Sequence, residues 1–315
     1  MKAAVLAAGL GTRLRPLTDS CPKPLIPILN RPLLGLVLAQ LETAGCFQVA
    51  VNTHHLSHLV HDFLRSEPWS FLLSVSHEPD LLGTGGAIKQ LGEILRDGPF
   101  LAINGDILTD LDLAEMYRSR QASAVSTLVL HDCPAYNNVW VKDGAVVSIG
   151  EPPPGGAGLP LAYTGIQVVD PKMLPYLPPA GQRYDLVKAW REALAAGERL
   201  AYLEVSGHFW QDIGTPENYL AAHRRLLQGE PSKLARYFPG LTDPVIGIGV
   251  RIGGGVEFRG SVCLGADVTV GEGAVLKNTV VWDRAVIAPG VELEGCIVAS
   301  GLQVKHSCRG QALAV

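Results

Sequence analysis

From residue 246 onward the chain keeps a beat of six. Ile246, Ile252, Phe258, Leu264, Val270, Leu276 and Trp282 recur at six-residue intervals, and Val250, Val256, Val262, Val268, Ala274, Val280 and Val286 follow them by four. Gly247, Gly253, Gly265 and Gly271 stand directly after members of the first set. Seven matches in succession are a poor fit to chance. A hexad repeat is the signature of a parallel β-helix, because each flat face takes one hexad and neighbouring coils bury the recurring aliphatics. Beyond Pro289 the phase slips, which predicts a capping segment there.

Residues 1–228 carry a different pattern, short apolar strands alternating with helices. Strands are predicted over 3–7, 47–52, 72–76 and 100–104, with helices over 33–44, 55–65 and 86–95 between them. Pro32 near the start of the first helix and Gly45 just past its end mark its boundaries. Alternation at this spacing implies right-handed βαβ crossovers, hence a Rossmann-like α/β fold: a mixed, mostly parallel sheet with helices on both faces. Such sheets bind ligands beyond the carboxyl ends of their strands. Further on, 138–149 reads as a hairpin turning at Lys142-Asp143-Gly144, and 151–158 as a Pro- and Gly-rich loop. A strand over 163–169, a helix over 184–196 and a strand over 200–205 follow. Thr215 is placed as an N-cap with Pro216 opening a helix to 227. Residues 229–243 read as a linker, which divides the chain into 1–228 and 244–315.

The first strand runs straight into Leu6-Ala7-Ala8-Gly9-Leu10-Gly11-Thr12, followed by Arg13 and Arg15, with Lys23 between two prolines. A buried strand feeding a glycine turn brings backbone N–H groups close to a ligand. Cations just beyond the turn point to phosphate. Two phosphate loops are excluded. A P-loop needs Gly-Lys-Ser/Thr, which is missing, and the dinucleotide fingerprint needs a third glycine where Leu14 stands, then a helix that Pro16 interrupts. Asn104-Gly105-Asp106 ends the strand over 100–104, so it is expected at the same sheet edge as the glycine turn.

What remains is the pattern L-A-A-G-x-G-T-R-L-x-P-L-T followed by P-K-P-L. It resembles the signature of the nucleotide-sugar pyrophosphorylases, nucleotidyltransferases acting on sugar 1-phosphates. Trp210-Gln211-Asp212-Ile213-Gly214-Thr215-Pro216 supports the resemblance independently. The resemblance implies a GT-A-like nucleotidyltransferase domain over 1–228. It also implies in-line attack of a sugar 1-phosphate oxygen on the α-phosphorus of an NTP, with Mg²⁺ held jointly by Asp106 and Asp212. Arg13 and Lys23 would complete the catalytic set. Leu6, Ala8, Gly9, Gly11, Thr12, Arg13, Gly83, Thr84 and Gly85 would bind the nucleotide. The run Glu78 to Gly86 resembles the family's L-G-T-A/G-G segment. Asn104, Glu151, Thr164 and Gly165 would bind the sugar.

The chain departs from many members at Glu151-Pro152-Pro153, where they read E-K-P and use the lysine on the sugar phosphate. Val51-Asn52-Thr53-His54-His55-Leu56 resembles the N-acetylmuramate and heptose 1-phosphate branch, whose members usually have no β-helix tail. Mannose 1-phosphate guanylyltransferases often carry one but tend to read L-A-G-G or L-V-G-G. Both branches stay open here, as does a catalytically silent regulatory homologue that only binds a nucleotide sugar. The hexads resemble the left-handed β-helix with three hexads per coil, about two to three coils in all, and the tail is expected to make the protein a homo-oligomer. His54, His58 and His61 share helical spacing and read as metal ligands on one face, as a polar face, or, for His54, as a residue lining the sugar pocket near a strand end.

Bulk properties exclude other classes. A net charge of -4 with no dense basic run speaks against nucleic acid as a partner. Six cysteines without a Cys-x-x-Cys pair suit free thiols in a reducing compartment. No segment approaches the roughly 18 apolar residues of a membrane span, and the run after Lys2 lacks a cleavage site. The expectation is a soluble, cytoplasmic protein.

Overall fold

Strand β1 (Lys2–Leu6) is buried, with Ala3, Ala4 and Val5 fully shielded. Three more strands follow in the chain, β2 (Gln48–Thr53), β3 (Leu72–His77) and β4 (Phe100–Asn104). Helices α1 (Leu33–Thr43), α2 (Ser57–Ser66) and α3 (Gly83–Leu95) connect them. The strands lie in the spatial order β3-β2-β1-β4, all parallel. Leu6 stands opposite Asn52 on one side and Asn104 on the other. The glycine turn, the end of β2 and the N-G-D turn are thereby set side by side. Helix α3 begins three residues earlier than the periodicity predicts, so the Gly83-Thr84-Gly85 segment forms its first turn.

Beyond α4 (Leu113–Arg118) the sheet turns mixed. It gains β5 (Ser126–His131), β6 (Val139–Lys142), β7 (Ala145–Ile149), β8 (Leu159–Val169) and β9 (Leu200–Glu204). β8 runs antiparallel between β4 and β5, and the nine-stranded order closes with β9, β7 and β6. Neither α4 nor β5 is foreseen from sequence. β5 is buried at every position, so it lacks the alternation that betrays a half-exposed strand. The β6–β7 hairpin turns where expected, with Asp143 and Gly144 at φ values of 50° and 75°, as a two-residue turn requires. Leu91, Leu95, Phe100, Leu128, Leu130 and Trp190 join the sheet to α3 and to α5 (Leu186–Ala195) in one core.

The computed structural model describes residues 1–314. Contacts group Met1–Gly9, Val37–Ile107 and Leu111–Trp210 into one unit, and Leu10–Leu36, Leu108–Asp110 and the chain from Gln211 into a second. Among the described residues no helix is long and apolar enough to cross a membrane. All six cysteines are free thiols.

In the second unit, short parallel strands between Val245 and Leu313 form sheets of five, four and four strands. This is the β-helix the hexads predict. Partners step by 18 residues at first (Val245 with Cys263, Arg251 with Thr269) and then by 17 (Cys263 with Val280, Thr269 with Val286). The lost residue moves the phase earlier than Pro289. Val281 and Ile287 take inward places, whereas Trp282 turns to helix α6 (Pro216–Leu227) and Val286 is partly exposed. The ladder continues to Leu313, so the stretch beyond Pro289 forms further coils rather than only a cap.

Thr215 caps α6 as predicted, its Oγ1 accepting the Asn218 N–H at 3.2 Å. One turn in, Tyr219 is fully buried. Its hydroxyl donates to the Pro27 carbonyl (2.6 Å) and accepts from Trp282 Nε1 (2.9 Å). His223 Nε2 accepts the Leu29 N–H (3.1 Å) while Nδ1 donates to the Tyr219 carbonyl (3.0 Å). Asn30 Nδ2 donates to the Leu264 carbonyl at 2.7 Å. The hairpin that follows Pro-Lys-Pro-Leu is therefore fixed by both α6 and a β-helix coil.

Burial pushes the His223 imidazole down to about 4 from 6.5, and its bond to the Tyr219 carbonyl only partly opposes this. An unfolded chain takes up this proton below about pH 6.5, while the folded one declines it until about pH 4. Stability is thus complete above pH 6.5 and falls as the pH drops toward 4, with a slope approaching ~1.4 kcal/mol per unit from this residue. Urea midpoints at pH 7.5 and 5.0 check this: His223→Gln is expected to shrink the difference seen in the native protein. An undiminished difference in the variant would contradict the assignment.

Candidate active site

At the end of β1 the Ala7 N–H donates to Asn52 Oδ1 at 2.6 Å. Gly9 is exposed, and a Cβ built there would meet nothing within 4 Å. The protein's own packing therefore does not demand glycine at this position. Gly105 is different. Its N–H donates to the Leu6 carbonyl (2.9 Å), and a Cβ would press on that same oxygen at 2.9 Å. Glycine here lets two strand ends close up. Asn104 Nδ2 lies 3.2 Å from where a Cβ of Gly165 would stand. Leu6, Asn104 and Gly165 are gathered at one end of the sheet, and half-buried Asp106 follows Gly105.

The segment Gly83-Thr84-Gly85, expected to bind the nucleotide, packs against a strap of the chain itself. The Tyr184 N–H donates to the Leu82 carbonyl (2.7 Å) and the Gly85 N–H to the Tyr184 carbonyl (3.0 Å). A Cβ on Gly86 would clash with the Gln182 carbonyl oxygen. The strap 182–185 thus explains Gly85 and Gly86, and also Gly83, where a Cβ would lie 2.7 Å from the Tyr184 carbonyl oxygen; Gly83 and Thr84 remain exposed at the start of α3.

Thr164 is fully buried, and its hydroxyl donates to the Val129 carbonyl at 2.9 Å. That leaves its backbone rather than its hydroxyl for a sugar. Its carbonyl accepts from Trp210 Nε1 at 2.9 Å, so Trp210 fastens the segment. The indole packs edge-on against His131 and Tyr136. His131 Nδ1 lies 3.2 Å from His208 Nε2, and burial, with His208 beside it, lowers its pKa to about 4. Sequence reading missed this pair, because two histidines so far apart form no motif. Glu151 lies exposed in the loop after β7.

The predicted cations Arg13 and Lys23 lie in the second unit. Gly11 takes a left-handed φ of 65°, and its carbonyl accepts from Thr18 Oγ1 at 2.9 Å. A Cβ there would lie 2.8 Å from Thr18 Cγ2, so only glycine fits the turn. Thr12–Leu14 forms a short 3-10 turn that exposes Thr12 and Arg13. Arg13 Nη2 stands 3.9 Å from Asp212 Oδ2. A Cβ on Gly214 would clash with both side chains, at 2.6 Å from Nη2 and 2.8 Å from the carboxylate oxygens. The predicted Arg13 and Asp212 are thereby brought together, and the glycine of Asp-Ile-Gly makes room for them. Lys23 is buried at the start of another 3-10 turn. Burial pushes the Cys21 thiol up to about 12, which speaks against a nucleophilic role.

Residues 2–229 match the nucleotidyl transferase family. The chain belongs to this family. Among its relatives, a UTP–glucose-1-phosphate uridylyltransferase of Synechocystis sp. is 30% identical over 93% of this chain and 86% of its own length. Mannose-1-phosphate guanylyltransferase 1 of Arabidopsis thaliana is 28% identical over 98% of this chain and 84% of its own. N-acetylmuramate alpha-1-phosphate uridylyltransferase of Neisseria meningitidis is 30% identical over 68% of this chain and 94% of its own. The fold is also that of HddC from Yersinia pseudotuberculosis, solved with GMP-PN. That likeness has a TM-score of 0.59 at 23% identity, covering 71% of this chain and 99% of HddC.

The two kinds of glycine separate in an experiment. Gly86→Ala forces the strap away and is expected to lower the thermal midpoint by more than about 4 °C. Gly9→Ala is expected to leave the midpoint in place and to weaken nucleoside triphosphate binding measured by calorimetry. Unchanged triphosphate affinity in Gly9→Ala would remove Gly9 from the site.

Proposed function

We propose that the protein transfers a nucleoside monophosphate from an NTP to a sugar 1-phosphate, releasing pyrophosphate. The observation that carries this reading is the pairing of Arg13 with Asp212 over bare Gly214 in a chain of this family. An oxygen of the sugar 1-phosphate attacks the α-phosphorus. The bond from that phosphorus to the bridging oxygen breaks, and pyrophosphate leaves with the electron pair. The attacking oxygen is already anionic at neutral pH, so the protein needs no general base. It needs charge neutralisation and in-line positioning.

Arg13, exposed on its turn, would neutralise the leaving pyrophosphate and the charge growing on the α-phosphate. Lys23, a buried residue, would steady the α-phosphate or the sugar phosphate. Backbone groups of Leu6, Ala8, Gly9, Gly11 and Thr12 would cradle the triphosphate, with Gly83, Thr84 and Gly85 beside the base. Asn104, Thr164, Gly165 and Glu151 would meet the sugar. Asp106 and Asp212 are both carboxylates, whose oxygens are hard donors. That donor set fits Mg²⁺, with substrate phosphates completing the shell. The ion would shield phosphate charge during transfer.

The sugar is proposed to be a hexose 1-phosphate. Relatives named for glucose 1-phosphate and mannose 1-phosphate match over 93% and 98% of the chain, tail included. The N-acetylmuramate enzyme matches over 68%. Residues 1–228 would be the catalytic domain, joined through 229–243 to a tail that self-associates through its first coil, where Ile246, Ile248 and Ile252 are exposed. Asp106→Asn and Asp212→Asn are each expected to cut turnover on the order of 10³-fold with circular dichroism unchanged. Undiminished turnover in both would end the metal assignment.

A further inference from the structure

Glu78 directly follows β3 and is only 1% exposed, yet it carries a carboxylate. Asn52 Nδ2 donates to its Oε1 (2.7 Å) and the Leu82 N–H donates to its Oε2 (3.0 Å). Asn52 is itself 3% exposed, and its Oδ1 accepts the Ala7 N–H at 2.6 Å. The backbone of Glu78 is anchored too, its N–H on the Thr53 carbonyl (2.8 Å) and its carbonyl on His54 Nδ1 (2.8 Å). The Ala7 amide can only donate, so the amide oxygen of Asn52 must face it and the NH₂ must face Glu78. Every hydrogen bond in this relay therefore has a fixed direction.

The relay joins three places that matter for one ligand. Ala7 lies in the glycine turn, Asn52 is the penultimate residue of the neighbouring strand, and Leu82 immediately precedes the Gly83-Thr84-Gly85 turn of α3. Burying a carboxylate is costly, and apolar side chains would join the same strand ends more cheaply. What a hydrogen-bonded carboxylate adds is distance and orientation, which apolar contact leaves loose. Both Glu78 oxygens are occupied and shielded, so its influence on a ligand passes through Ala7 and Leu82.

We infer that Glu78 and Asn52 are positioning residues that set the spacing between the turn holding the triphosphate and the turn holding the base. The inference rests on the nucleotidyl-transfer reading above. It makes a demand on the chemistry of the pair. In Asn52→Asp two carboxyl groups face each other, and in Glu78→Gln two NH₂ groups do or the Leu82 N–H loses its acceptor. In the double variant Asn52→Asp/Glu78→Gln every bond returns: Asp accepts from Ala7 and from Gln Nε2, and Gln Oε1 accepts from Leu82. Net charge is also that of the native chain.

The test is this double-mutant cycle, with KM and kcat measured for GTP and UTP and amide hydrogen exchange followed at Ala7 and Leu82. Each single variant is expected to raise KM for the nucleotide by about tenfold or more, with kcat moved less and exchange at both amides accelerated. The double variant is expected to return KM to within about threefold of native and exchange to the native rate. A double variant no better than the worse single overturns the relay. So does a Glu78→Gln variant that changes the preference between GTP and UTP while exchange stays native, because Glu78 would then touch the base. If the singles do not fold, the double must, and its failure to fold also overturns the inference. An inactive native protein would instead end the nucleotidyl-transfer reading, while amide exchange, which needs no substrate, still decides the relay.

Discussion

The pairing of β1 with a parallel strand on each side is the constraint on which the first unit depends. It sets Leu6 opposite both Asn52 and Asn104, so three strand ends open in one row. Ala3, Ala4 and Val5 are buried on both faces, so a slip of one residue, which exchanges the faces, would press each side chain into space packed for another. Register, and with it the placement of the glycine turn, follows from close packing on both faces. The bonds from Ala7 to Asn52 and from Gly105 to Leu6 then fix that row at finer scale than packing can.

Glycine serves two purposes in this molecule. At Gly11, Gly86 and Gly214 a side chain would strike atoms of the protein itself, be it Thr18, the Gln182 carbonyl or the Arg13–Asp212 pair. At Gly9 it would strike nothing. In sequence these positions look alike, since each sits in a motif of the same family. Only the three-dimensional surroundings separate a glycine that accommodates the fold from one left open toward solvent.

The alternation of strands and helices up to residue 104 was legible because each element is long enough to show its period. β5 was not, because a strand buried on both faces has no alternation. The hexads announced the β-helix, but the shortening of a coil from 18 to 17 residues moved Trp282 out of the inward phase and onto Tyr219. Of the proposed site, Arg13, Lys23, Asp106 and Asp212 were readable from motifs. Glu78 lies in the Glu78 to Gly86 run, yet its bonds to Asn52 and Leu82 join residues whose chemistry is ordinary and whose neighbourhood only the fold creates. The His131–His208 contact escaped for the same reason.

The tail takes part in holding the second unit together. Asn30 bonds to a coil carbonyl, and Tyr219 links Pro27 to Trp282, so the β-helix braces the hairpin that follows Lys23. The most direct measurement of the central claim is pyrophosphate release with Mg²⁺ over a grid of nucleotides and sugars. ATP, CTP, GTP, UTP and dTTP would be crossed with the 1-phosphates of glucose, mannose, N-acetylglucosamine, N-acetylmuramate and heptose. The account predicts release for at least one hexose 1-phosphate, and only when both substrates are present. Silence across the whole grid, with a nucleotide sugar still raising the thermal midpoint, would contradict it and mark the protein as a binder rather than a catalyst.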